Sequence, residues 1–514
     1  LSQLVGRPTD RSAVVSVLSS TDREAFIEFG PAADRLTAKT PVRQLKAGEP
    51  FEFELANLAP NAANAYRLRT RAGSSGEFDA QPVAFIQTHR PPGSAFTFAV
   101  QGDSHPERIG RMYDPTLYAI TMRNVAKDRP DFYFMMGDDF STERLIEQKT
   151  ITQRGVDAIY AHQRVFLGLV GQSTPVMLVN GNHEQAARYL LDGTATNPAV
   201  FAGKARTRFF PLPAPDRFYT GNTTPVEHVG LLRDYYAWTW GDALFVVIDP
   251  YWHSPQPVDN EAGVQGGPQR GEERRPRAGE AQPKGEPENR QDGQRRKRDA
   301  GEEPSAERGG KRNRDLWQIT LGDQQYQWLS QTLRESKSKF KFVFSHHVLG
   351  TGRGGVEVAG RFEWGGDDQR GVDRFAQMRP TWEKPIHDLM RDTGVTIFFQ
   401  GHDHLYARQE LEGVIYQSCP NPADPTFTAF NREAYRSGDI RPNSGHLRVS
   451  VSPEKVRVEY VRTFPGEETT GEAANGSIAH AYDVLPRTPA GGTHSPSGAP
   501  RTNPQPATSP GAPR

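Results

Sequence analysis

Cysteine is nearly absent: Cys419 is the only one in 514 residues. That excludes an internal disulfide framework and any zinc finger built on paired thiolates. Net charge is absent too, since 62 Lys and Arg balance 62 Asp and Glu. Nucleic-acid binding draws on an excess of cations to neutralise phosphates, so no nucleic-acid-binding module is expected. No run of about 18 apolar residues occurs, and with it goes any transmembrane helix. Hydrophobic residues make up only 35% of the chain and mean hydropathy is −0.68, too polar for one core running through the whole length.

The deficit is local. Residues 254–314 contain no aromatic residue, no Leu and no Ile, and interleave 14 Lys and Arg with 12 Asp and Glu. Such a stretch cannot bury enough apolar surface to offset chain entropy and is expected to be disordered. The interleaved acids argue against a basic patch for RNA or an anionic surface. Residues 486–514 hold eight prolines among Gly, Ser and Thr and read as a flexible tail.

Residues 1–92 read as all-β. Short alternating segments at 13–18, 25–29, 51–55, 66–69 and 83–87 are separated by turn residues, a spacing that suits a small β-sandwich. Leu58, Ala59 and Pro60 followed by Tyr66 resemble the corner of fibronectin type III-like domains. No reactive cluster lies there, so the region reads as a packing module. Residues 90–93 look like a linker into a second region spanning 95–485. There, continuous apolar runs at 96–100, 132–136, 175–179, 243–248, 340–344 and 395–399 suit strands covered on both faces, and 325–333 carries apolar residues at helical spacing. The region is α/β. Near its end, 447–451 and 456–461 form a hairpin.

Five of the six runs lead into polar, metal-competent residues. They are Gly-Asp-Ser-His at 102–105, Gly-Asp-Asp at 137–139, Asn-Gly-Asn-His-Glu at 180–184, Ser-His-His at 345–347 and Gly-His-Asp-His at 401–404. Ligands of such sheets bind beyond the carboxyl ends of the strands, so five distant loops should converge on one edge. Singly, each motif is an ordinary turn or a solvated loop; in this order, each after a strand, they point to one site. The donors are oxygen and imidazole only, which suits Fe, Mn, Zn, Ni or Co. Seven ligands are too many for one tetrahedral zinc and right for two ions sharing a carboxylate, the arrangement used for in-line displacement at phosphorus.

The ordered blocks resemble the calcineurin-like metallophosphoesterase family. Within it the chain is similar to the purple acid phosphatase branch, which carries a β-sandwich before the catalytic domain, a His-x-Tyr-Glu-Arg run like 404–408 and a Gln-x-x-Trp-Leu helix like 325–329. The resemblance implies a four-layer α/β/β/α sandwich preceded by the fibronectin-like one. It implies a phosphoesterase, foremost a phosphomonoesterase, acting by in-line attack of a metal-bound hydroxide on a small-molecule phosphate ester. By position, Asp103, His105, Asp138 and His404 would hold one divalent ion, and Asp138, Asn182, His346 and His402 the other. His346 is taken over His347 because the family's ligand is the first histidine after the strand. His183 would be the catalytic residue facing the phosphate, as transition-state stabiliser or leaving-group acid. Arg353, in a glycine-rich loop after His346, is a candidate phosphate contact. Glu184, Tyr406 and Asp249 could support the ligands or simply pack.

Two departures from the purple branch matter. The first block ends in His105 rather than Gly, and Ser141 fills the slot of the iron-binding tyrosine. A colourless enzyme with two divalent ions and a neutral-to-alkaline optimum is therefore expected. Other family members place an Asp in the Ser141 slot to orient the counterpart of His183, and that orienter is missing. The alternatives are a phosphodiesterase or nucleotidase and, from another class, a non-catalytic metal-binding or adhesion protein. The start at Leu1, the leading sandwich and the resemblance suggest a secreted or periplasmic protein. Oligomeric state is not written in the sequence.

Overall fold

The apolar runs are strands buried on both faces, and their alternation separates two cores. In the computed structural model, which describes residues 1–184, 187–258, 315–349, 352–466 and 471–487, Phe98 and Val100 turn toward one core and Ala99 toward another. Along Ala243–Val247, Phe245 and Val247 oppose Leu244 and Val246 in the same way. Successive side chains of a strand point to opposite faces, so a run apolar at every position must be covered twice.

One sheet has the order Val176–Leu178, Tyr133–Met135, Phe96–Gln101, Gly445–Val451, Val456–Arg462, Ile478–Val484. Its first three strands are parallel. The other sheet runs Thr220–Gly221, Tyr236–Trp240, Ala243–Val247, Phe340–Phe344, Ile397–Gln400, Val414–Ser418, Tyr406–Leu411, Asp439–Arg441, with a parallel centre from Ala243–Val247 to Val414–Ser418. The sheets face each other across aromatic rings. Phe134 stacks on Phe344 with centroids 4.0 Å apart, and Phe344 on Phe399 at 4.9 Å.

Helices complete the four layers. Pro115–Asp128, Gln153–Gly171 and Pro198–Phe209 cover the six-stranded sheet. The first is set by Pro115 at its start and by Asp114, whose carboxylate accepts from Leu117 N at 2.8 Å. Gly322–Glu335 and Ile386–Asp392 cover the eight-stranded sheet, the former through Tyr326, Leu329 and Leu333 at helical spacing. Among the described residues no helix is long and apolar enough to cross a membrane.

The N-terminal part is all-β. Ser2–Gly6, Ser12–Leu18 and Phe51–Ala56 form a sheet that packs on a second one, built on Arg23–Gly30 and Ala63–Arg71, through Val15, Val17, Ile27, Phe53 and Leu68. Ser2–Gly6 was not expected from the alternation pattern; its Leu4 joins the core under helix Gln153–Gly171. The hydroxyl of Tyr66 donates to the Gln172 carbonyl at 2.7 Å.

Arg164 pins the two parts together. Buried, it donates to Ser16 O at 2.8 Å, Ser16 Oγ at 2.9 Å and Phe209 O at 2.6 Å, and burial lowers its pKa to about 9. Arg164→Ala strands buried carbonyls without a donor and leaves a cavity. It should cost roughly 3–5 kcal/mol of stability, read from the urea midpoint at constant slope. An unchanged midpoint would show that the pin contributes nothing.

Of the charged stretch at 254–314, residues 254–258 are described, and Ser254 and Val258 are buried in the fold. Its remainder, 259–314, lies outside the described residues, as does the proline-rich tail from 488. Arg487 is still tied down, donating to Val395 O at 2.8 Å.

Candidate metal centre

Each of the five motifs follows the carboxyl end of a strand, and the two sheets bring these ends to one edge. The stacked rings of Phe134, Phe344 and Phe399 lie on the strands just before Asp138, His346 and His402 in the chain. The motif glycines permit close approach: a Cβ on Gly181 would sit 2.2 Å from Asp138 Oδ1, and one on Gly401 2.5 Å from Asp103 Oδ1. Four residues here adopt left-handed backbone, His105 at φ 48°, Asp138 at 60°, His402 at 69° and His404 at 52°. Non-glycine residues rarely do so, and such strain collects at functional sites.

All seven residues expected to ligate metal are buried and come together. Single donor atoms of Asp103, Asp138, His346 and His402 lie within 4.8 Å of one another, and so do those of Asp103, His105, Asp138 and His404. Both carboxylates, rather than Asp138 alone, reach both groups. His105 Nε2 is 3.0 Å from His404 Nε2, and His402 Nδ1 is 3.1 Å from His346 Nε2. Asn182 Oδ1 is 3.2 Å from His346 Nε2, and Asp138 Oδ2 is also 3.2 Å from that nitrogen. Asp103 Oδ2 lies 2.8 Å from His404 Nε2 and 3.8 Å from His105 Nε2 but makes no hydrogen bond among the described residues. Converging donors about 3 Å apart, with a buried carboxylate oxygen left over, fit ions held about 2.0–2.2 Å from nitrogen and oxygen ligands.

The histidine pair at 346 and 347 divides by geometry. His346 Nε2 points at Asp138 while its Nδ1 is 2.6 Å from the Met136 carbonyl. His347 Nδ1 is 3.1 Å from the Tyr251 hydroxyl, and burial lowers its pKa to about 3. Other residues brace the ligands. Glu107 Oε1 lies 2.9 Å from His105 Nδ1, and Asn443 donates to the His404 carbonyl at 2.7 Å. Glu184 accepts from Asp139 N at 2.9 Å and Gly181 N at 2.7 Å, joining two ligand loops. Asp249 accepts from Asn180 at 2.6 Å. Tyr406 turns away, its hydroxyl 2.7 Å from His480 Nδ1.

His183 stands beside the cluster, its backbone N–H donating to Asp138 Oδ1 at 2.9 Å. The orienter missing from position 141 is supplied two residues later: Glu143 Oε2 lies 2.7 Å from His183 Nδ1. Arg108 Nη2 is 3.1 Å from His183 Nε2. Neither residue was expected from the sequence. An acid two positions past the family slot was the available signal for Glu143; nothing marked Arg108. Arg353 donates to the His402 carbonyl and lies 3.5 Å from Asp403, so it braces the 402–404 loop.

Burial alone would lower the His346 imidazole, but Asp138 and Asp103 outweigh it and push it up to about 10. Burial would raise Asp138, yet His346 and His183 hold it well below the usual carboxylate range. The metal-free site thus keeps a proton on His346 at neutral pH, and only a neutral imidazole ligates. Loading the metal-free protein at pH 7.5 should release protons, and affinity should fall as pH drops below about 10. Calorimetry in buffers of different ionisation heat measures this; zero proton release would contradict it.

No protein-family model and no curated protein matches the chain. Among solved structures, one described as the structure of PhoD superposes over 94% of this chain and 90% of its own length, with a TM-score of 0.59 and 14% identity. GAP50, the anchor in the inner membrane complex of Plasmodium, matches at 11% identity over 77% of this chain and 90% of its own, with a TM-score of 0.34. A putative 5′-nucleotidase from Staphylococcus aureus, solved with alpha-ketoglutarate, matches at 14% over 78% and 56%, with a TM-score of 0.31. The last two overlap too loosely to bear on function. The chain has the fold of the structure described as PhoD and a buried His/Asp cluster at its strand ends.

Proposed function

We propose that this chain is a dinuclear metal-dependent phosphoesterase acting on phosphate monoesters. The observation that supports this most is the pair of buried four-residue donor groups sharing two carboxylates at the strand ends of the PhoD fold. Asp103, His105, Asp138 and His404 would hold one divalent ion of the Fe, Mn, Zn, Ni or Co kind, and Asp138, Asn182, His346 and His402 the other. Bound there, the ions would supply a water of lowered pKa and neutralise charge on the phosphoryl oxygens.

The chain's own residues do the rest. His183, fixed through Nδ1 by Glu143, presents Nε2 to the leaving oxygen and can donate a proton to it. Burial lowers its pKa, while Asp138 and Glu143 raise it, to about 9 in the metal-free site. Arg108 adds positive charge at the same place. The nearby hydroxyl of Ser104 donates to Asp139 at 2.5 Å and the Cys419 thiol is buried, so neither is set up as a covalent nucleophile. A single displacement with inversion at phosphorus follows.

A paired assay on 4-nitrophenyl phosphate and bis(4-nitrophenyl) phosphate, with metal analysis, tests the reading. Faster monoester turnover, abolished by chelation, is expected. Faster diester turnover would move the assignment to a phosphodiesterase, and a fully loaded but inert protein would make it a metal binder.

A further inference from the structure

We propose that the cleft beside His183 receives the alcohol half of the ester and selects an apolar body ending in a negative charge. The inference rests on the phosphoesterase reading for the position of the scissile bond. The cleft measures about 530 Å³ and is lined by Glu107, Arg108, Ile109, Arg111, Met112 and Phe430. That volume suits a small organic ligand.

The cleft starts at the reacting centre. Arg108 forms its wall and touches His183, the residue placed to protonate the leaving oxygen. The ring of Phe430, which also lines the cleft, lies 6.3 Å from that of His404. Both segments are fixed before any ligand arrives. Met112 N bonds Arg108 O at 3.1 Å, Gly110 N bonds Tyr113 O at 2.9 Å and Asn421 donates to Met112 O at 3.0 Å. Asn431, next to Phe430, donates to the Asp403 carbonyl at 3.2 Å.

The lining states the chemistry. Ile109 is 72% exposed, an unusual setting for a large aliphatic side chain on a pinned loop, and with Met112 and Phe430 it offers an apolar surface. Glu107 is already engaged by His105 and lies 3.3 Å from Arg108. Among the described residues Arg111 has no carboxylate within ion-pair distance. The cleft lining therefore joins an apolar surface to a guanidinium that no carboxylate answers, which complements a carboxylate, sulfonate or second phosphate. A second cleft of about 500 Å³, lined by Gly241, Asp242 and Ser336–Ser338 among others, lies at the amino ends of the strands, opposite the ligand loops.

The test compares phenyl phosphate with biphenyl-4-yl phosphates bearing a 4′-carboxylate or a 4′-ammoniomethyl group, whose distal substituents barely alter leaving-group acidity. Wild-type protein should favour the carboxylate in kcat/KM by roughly fivefold to tenfold, the scale of a charge-assisted contact. Arg111→Glu should invert that order. Ile109→Ser should reduce the advantage of both biphenyls over phenyl phosphate. No preference in the wild type, or one that survives Arg111→Glu, overturns the proposal. If every ester is inert, the phosphoesterase reading fails, and calorimetric binding of the matching biphenyl phosphonates decides the cleft instead. The same carboxylate preference, inverted by Arg111→Glu, supports it; equal affinities overturn it.

Discussion

Asp138→Asn will remove nearly all ester hydrolysis, by roughly 10³-fold or more, and will lower the bound metal measured by elemental analysis. Asparagine keeps the shape of the side chain and tolerates the left-handed backbone at φ 60°, so the fold should survive. It can also still accept the His183 N–H now held at 2.9 Å. What it loses is the charge that reaches both donor groups and stands 3.2 Å from His346 Nε2. Retention of two ions and of activity would refute a shared carboxylate. Partial metal loss with full activity would show that one ion suffices.

His183→Ala makes the opposite prediction for metal. Both donor groups lie outside this side chain, so metal content should match the wild type while kcat falls roughly 10²- to 10⁴-fold, the range for a lost general acid. The loss should be larger for alkyl phosphates than for nitrophenyl phosphate, whose leaving group needs no proton. Equal losses on both would make His183 a stabiliser of phosphoryl charge rather than an acid. Loss of metal would make it a ligand. Glu143→Gln removes the charge 2.7 Å from His183 Nδ1 but keeps an acceptor there. A milder fall, roughly tenfold to a hundredfold, should follow with metal intact.

Much of this centre was legible because its chemistry is local in sequence. Each ligand sits within a few residues of an apolar run, so strand followed by polar loop marks the spot without any knowledge of pairing. The buried strands Phe96–Gln101, Phe340–Phe344 and Ile397–Gln400 announced themselves by having no polar alternation. Short edge strands such as Thr220–Gly221 and Asp439–Arg441 carry too few residues for a pattern. Ser2–Gly6 was hidden because its burial depends on a helix more than 140 residues away. Glu107, Arg108 and Glu143 were missed for a related reason. Their partners are set by how two loops cross, and a charged residue in a loop is ordinarily solvated. The partner of the Tyr66 hydroxyl, the Gln172 carbonyl, was likewise illegible, because it lies in the other part of the chain.

The left-handed backbone at His105, Asp138, His402 and His404 bears on how this protein can evolve. Each such residue costs roughly 1–2 kcal/mol that glycine or asparagine largely avoids. Substituting either at His404 removes an imidazole from the donor cluster and relaxes the chain in the same step. In the absence of metal, folding therefore rewards descendants that discard the centre, and random drift runs toward sturdier, inactive proteins. A copy that keeps all four side chains in that conformation is held there against its own folding preference, by selection for what the centre does.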